Sequence, residues 1–115
     1  MRITSIDDIG INFQWTSVEG RLFCKREMKH TGFLSWNDVL VAHAFKRDLF
    51  SNDQICVVLT PREGESVEFD EDAPKWLLLM EKMATALPAS RKWEHWFSEV
   101  AHPAFQPNLQ VIYQR

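Results

Sequence analysis

The chain has 115 residues, 45% apolar and 25% charged, the proportions of a folded globular protein. They exclude a disordered chain, a coiled coil and a collagen-like repeat. The net charge of −3 disfavours nucleic acid as a partner, because neutralising phosphate dominates such affinity. Residues 1–115 read as one domain. No apolar run approaches the roughly 20 residues that span a bilayer; the longest are Ile55 to Leu59 and Trp76 to Met80. Asp7 and Asp8 stand where a signal peptide needs a basic start and an apolar stretch, so a cytoplasmic address and no membrane partner are expected. Cys24 and Cys56 are too few for a disulfide scaffold and lack metal-type spacing, in keeping with a reducing compartment.

Ile9, Ile11, Phe13 and Trp15 alternate with small or polar residues, a period of two that predicts a half-buried strand. Val18-Glu19-Gly20 offers a turn, since glycine accepts positive φ without steric cost. The loose alternation from Arg21 to Met28 completes a hairpin over about residues 9–28. Ser35 and Asp38 form a capping pair that opens a helix over about residues 36–50. On a helical wheel Trp36, Leu40 and Phe50 fall on one side, and Val41, Phe45 and Leu49 on the other. A helix apolar on two faces is buried between layers or lends one face to a partner.

Ile55-Cys56-Val57-Val58-Leu59 is a continuous run of strand length, suited to a central strand covered on both faces. A short edge strand is expected at Val67 to Phe69. Asp72 as N-cap and Pro74 in the first turn open an amphipathic helix over about residues 73–87. Its face of Trp76, Met80, Met83 and Leu87 lies opposite Lys75, Lys82 and Thr85. Pro88 ends it. Ser90 caps a further helix over about residues 91–101, where Trp93, Trp96, Phe97 and Val100 oppose Glu94, His95, Ser98, Glu99 and His102. Pro103 and Pro107 bracket an irregular connection. Leu109, Val111 and Tyr113 then alternate with Gln110, Ile112 and Gln114 in a terminal strand. The order β-β-α-β-(β)-α-α-β predicts an α+β fold, a mostly antiparallel sheet of about four strands packed against three helices.

Six of the sixteen acidic residues fall within one decapeptide: Glu63, Glu65, Glu68, Asp70, Glu71 and Asp72. Their carboxylates favour the N-terminus of the following helix, and as a solvated loop they would also steer a basic protein surface toward the chain. Trp36 and Phe69 are the aromatic neighbours expected in such a contact, since tryptophan is enriched at interfaces. The leading expectation is a non-enzymatic protein-binding module, of inhibitor, immunity or adaptor type, with another protein of basic surface as its partner and no cofactor.

A second expectation is a small metal- or thiol-dependent enzyme. His95, Glu99 and His102 would share one helix face, and imidazole and carboxylate suit zinc. Three ligands from one helix seldom close a tetrahedral site, however, and a solvated polar stripe gives the same pattern. Cys56 lies in the most apolar run, where burial leaves a thiol inert, whereas Cys24 stands beside Lys25 and Arg26. His43 reads as a packed or rim histidine, and His30 falls in a connecting loop. The third expectation is weak nucleic-acid binding through the basic hairpin, where Arg21, Lys25, Arg26 and Lys29 interleave with Leu22, Phe23 and Cys24. Asp70-Glu71-Asp72 lacks the spaced oxygen ligands of a calcium loop.

Overall fold

The computed structural model describes residues 1–49, 52–88, 90–102 and 107–115. Phe50 and Pro103, used above for a helix face and a chain break, lie outside the described residues. The fold is α+β, and the described residues form two antiparallel sheets and two helices. The first sheet has the order β1-β2-β3, formed by β1 (Arg2–Ile6), β2 (Gly10–Glu19) and β3 (Arg26–Ser35). The second has the order β6-β5-β4-β7, from β4 (Val39–Asp48), β5 (Asp53–Pro61), β6 (Val67–Asp70) and β7 (Gln110–Gln114). The helices are α1 (Trp76–Ala86) and α2 (Trp93–Ala101). No helix is long and apolar enough to cross a membrane among the described residues.

The alternation from Ile9 to Trp15 becomes β2, with Ile11 and Phe13 buried. Its hairpin is longer than expected, since β2 pairs with β3 from Gly10↔Ser35 to Glu19↔Arg26. Gly20, at φ 112°, breaks β2 where an L side chain would be strained. Gly32 has a different reason. The Phe13 ring crosses it from the neighbouring strand, so close that an added Cβ would lie 2.6 Å from the ring. That ring then reaches the second sheet and meets Phe69 edge-on at 6.1 Å. No strand is expected at Arg2–Ile6 from apolar spacing, since only Ile3 and Ile6 turn inward; β1 is bound instead through its pairing with β2.

Where a helix is expected over 36–50, residues 39–48 form a strand. Ser35 does act as a cap, but its hydroxyl accepts the Asn37 N–H of a single 3₁₀ turn, Trp36–Asp38. Beyond it the chain enters β4. Ala42, Ala44 and Lys46 face inward and His43, Phe45 and Arg47 are half-buried on the other side, while an irregularity between Val39 and Val41 shifts the register. Apolar residues on both sides of a helical wheel are what a period of two produces when it is plotted at 3.6. Hence the described residues form two helices rather than three, and seven strands in two sheets rather than about four in one.

β5 is an interior strand, as its apolar run requires, and β6 is an edge strand on it. Val57 and Leu59 share the inner face with their partners Phe69 and Val67 and with Ala44 and Ala42 across β4. The two alanines leave room for α2, which lies over β4 and β7 and buries Trp96 and Val100. In α1, Trp76, Met80, Met83 and Leu87 are buried as the spacing predicts, with Leu79 added. Neither expected cap forms: Lys75, in the left-handed region, precedes α1, and Lys92 precedes α2 without a side-chain cap. In β7 it is Ile112 and Tyr113 that are buried, whereas Leu109 and Val111 are exposed, because a register shift between Ala42 and His43 turns the strand.

Lys46 is buried at 4% exposure; its ammonium donates to the Ala101 carbonyl at 2.8 Å and lies 3.4 Å from Asp53. It thereby fastens the last turn of α2, whose carbonyls lack helical partners, to the sheet. Phe69→Ala should lower unfolding stability by about 3–5 kcal/mol, since the ring packs against Phe13 at the join of the two sheets. Phe23→Ala, at a residue 92% exposed, should change it by less than about 0.5 kcal/mol. Urea titrations of the two variants measure both.

Candidate functional site

The acidic decapeptide does not stay together in the structure. It spans the turn after β5, all of β6 and the start of the next connection, and a strand sends alternate side chains to opposite faces. Val67 and Phe69 turn inward, while Glu68 and Asp70 turn to the outer face. There Arg47 Nη2 donates to both oxygens of Glu68 at 2.7 Å, which holds the guanidinium above its ordinary pKa. Glu71 accepts the Ile55 N–H, Asp70 accepts the Asp72 N–H, and Asp72 accepts from the Gln54 amide. Four of the six carboxylates therefore hold this chain's own fold. Asp72 spends itself on Gln54 rather than on a helix cap.

Glu63 and Glu65 are different. Both are exposed on the β5–β6 turn, and neither makes a hydrogen bond or ion pair among the described residues. They line one side of a cleft of about 550 Å³ between the sheets. Its other wall is the base of the first sheet, with Phe13 and Leu34 deep and Phe33 54% exposed. Asp38 and Arg62 stand at the corner, where Asp38 O accepts the Arg62 N–H at 2.8 Å. Three carboxylates against one guanidinium leave the rim anionic above an aromatic and aliphatic floor. Such a cradle suits a cation that brings apolar stem or ring with it.

The two aromatic residues expected to join the acids at a contact surface do not do so. Trp36 is 3% exposed and its indole N–H donates to Asp7 O, while Phe69 is 1% exposed in the core. The aromatic residue beside the acids is Phe33, which sequence reasoning passed over. Its signal was present: the alternation of the hairpin continues through Phe33 and Leu34, and only one of two adjacent strand residues can face the core. Of the five tryptophans, Trp36, Trp76 and Trp96 are buried, Trp93 packs at the margin, and Trp15 is 37% exposed.

His95, Glu99 and His102 are exposed, the last at the C-cap of α2. Glu99 accepts from Arg91 at 2.6 Å, so the middle member of the triplet already has a cation. No group of three residues of metal-ligating type converges among the described residues. Cys24 is exposed and Cys56 is buried on β5. Burial pushes the Cys56 thiol up to about 11, with Arg47 opposing the shift, so at neutral pH it is not a thiolate. His30, expected in a loop, lies on β3. Its Nε2 is 2.7 Å from Ser17 Oγ, and its ring stacks on Trp15 at 5.2 Å. The basic residues Arg21, Lys25, Arg26 and Lys29 gather at the far end of the hairpin and make no ion pair among the described residues.

No family profile, curated protein or solved structure matches this chain.

The thiols supply a test of this geometry. In native protein at pH 8, a chromogenic disulfide reagent should titrate Cys24 alone, and both cysteines after unfolding. A folded-state pKa above the unfolded one for a thiol means that the unfolded chain ionises first as pH rises. Stability should accordingly fall between about pH 9 and 11, and Cys56→Ala should remove on the order of 2 kcal/mol of that fall. Urea midpoints at pH 8 and 10.5 for both proteins decide it.

Proposed function

We propose that this chain is a non-enzymatic protein-binding module whose contact is the cleft between the sheets, rather than the acidic stretch as a whole. The observation that supports it is a division of labour among carboxylates. Glu68, Asp70, Glu71 and Asp72 are engaged within the fold, whereas Glu63 and Glu65 have no partner among the described residues and stand at the mouth of a cleft whose opposite wall carries Phe33. A basic partner surface would present an arginine or lysine whose head lies among Glu63, Glu65 and Asp38 and whose stem or neighbouring apolar residue covers Phe33. Each exposed ion pair contributes only about 0.2–1 kcal/mol, so charge gives on-rate and selectivity while the apolar floor gives residence. An adaptor or inhibitor of this kind would reside in the cytoplasm.

A labelled peptide of alternating arginine and phenylalanine is a suitable probe, with alternating glutamate and phenylalanine as control. Fluorescence anisotropy should show the arginine peptide binding more tightly at low salt. The double variant Glu63→Lys/Glu65→Lys should bind it at least about tenfold more weakly, equivalent to about 1.4 kcal/mol. Asp70→Asn and Glu71→Gln should leave binding within about twofold, although the second replaces the charged acceptor of the Ile55 N–H with a neutral amide oxygen and so weakens that bond. Equal binding by the double variant, or equal binding of the two peptides, overturns the proposal.

A further inference from the structure

The chain carries a second patch whose chemistry is the counterpart of the cleft. Between β2 and β3 the backbone closes a tight turn, with Cys24 N–H donating to Arg21 O at 2.8 Å. Leu22 and Phe23 are the central residues of that turn and are 76% and 92% exposed, more than any other large apolar side chain described. Arg21, Lys25 and Arg26 flank them, with Glu19 and Glu27 also at this end of the ladder; all five are exposed and none is in an ion pair among the described residues, so the tip is cationic on balance. Two adjacent apolar side chains at the apex of a projecting hairpin serve no packing role within the molecule. Scattered apolar exposure is ordinary, but a joined pair flanked by cations is not scattered.

We infer that the Leu22–Phe23 tip of one copy seats in the cleft of a second copy of this chain, its cations against Glu63 and Glu65. This rests on the reading of the cleft given above and names its occupant. Shape and charge both correspond: an apolar knob with a basic collar meets an apolar floor with an acidic rim. The contact cannot form within one molecule. Phe33, on the cleft wall, and Arg26, at the hairpin end, are seven residues apart on one continuous ladder, so roughly 23 Å of paired strand separates knob from cleft. The ten paired positions between β2 and β3 prevent the tip from folding back. Because knob and cleft are different patches, each copy offers one of each, and mixed variants can be made to complement one another.

Sedimentation velocity on the full chain at low salt, up to about 1 mM protein, tests this. Wild type should show a sedimentation coefficient that rises with concentration and falls back when salt is added. Phe23→Ser should weaken association at least tenfold, and so should Glu63→Lys/Glu65→Lys. Neither variant disturbs the core, and circular dichroism confirms that each is folded. An equimolar mixture of the two should associate again, since one supplies an intact cleft and the other an intact tip. Wild type that stays monomeric throughout, or a mixture that fails to associate, overturns the inference. If in that case the arginine peptide still binds the wild-type cleft, only the identity of the occupant has failed; if the peptide does not bind either, the cleft reading fails with it. Monomeric protein that binds phosphatidylserine vesicles through Phe23 also overturns it and assigns the tip to a lipid surface.

Discussion

The fold depends on the corner at Trp36. Here the chain leaves the first sheet and enters the second, and a single 3₁₀ turn makes the change of direction. The turn is held from three sides. Trp36 donates its backbone N–H to Ile9 O and its indole N–H to Asp7 O, which ties it to the β1–β2 connection. The C-terminal Arg115 donates to the carbonyls of Trp36 and Val39. Asp38 O receives the N–H of Arg62, at the far end of β5. Burying the large indole supplies the apolar gain, and these bonds satisfy backbone groups that a sheet-to-sheet crossing would otherwise strand. The same corner makes the cleft, because it brings the base of β3 beside the β5–β6 turn.

Asp7 shows how the neighbouring turn is set. Its carboxylate accepts the N–H groups of Gly10 and Ile9, which hold its pKa below the usual range. That contribution is present above the ordinary carboxylate pKa and is lost as pH falls through the lowered one. The turn that receives the Trp36 indole is therefore best ordered at neutral pH. Lys82 adds an exposed pair with Asp8 from α1, an interaction of the small, salt-screened kind.

Much of the architecture was legible because strong local signals coincided with burial. The β5 run, the α1 face, the α2 face and the first strand of the hairpin each follow from apolar spacing. The selected residues are buried throughout α1, but only Trp96 and Val100 are buried in α2, and only Ile11 and Phe13 in the hairpin strand, with Ile9 and Trp15 exposed. The failures are failures of period and register. β4 resembled a helix because a period of two plotted at 3.6 puts apolar residues on both sides of the wheel. In β7 a register shift against β4 displaced the alternation, exposing Val111 and burying Ile112. The site was less legible than the fold. Six acids within ten residues look alike in sequence, and only the pairing of β6 with β5 separates those that meet Arg47 or a backbone N–H from the two that meet no partner among the described residues. Likewise Leu22 and Phe23 read as members of a strand, and it is their place at the centre of a turn that exposes them.

Net charge is a poor guide to how such a molecule meets others. The formal value of −3 suggests one acidic field, yet two local patches differ in sign: the hairpin tip, where Arg21, Lys25 and Arg26 outnumber Glu19 and Glu27, is cationic on balance, and the cleft rim is anionic. At physiological ionic strength the screening length is about 8 Å, well under the roughly 23 Å of ladder between them. Each patch thus presents its own local sign to an approaching surface, nearly independent of the other. The stiffness of the ladder is what keeps them from neutralising each other. A flexible arm of the same sequence would collapse onto the acidic rim and hide both. A paired hairpin keeps knob and cleft open, and leaves their attraction to be satisfied only by another molecule.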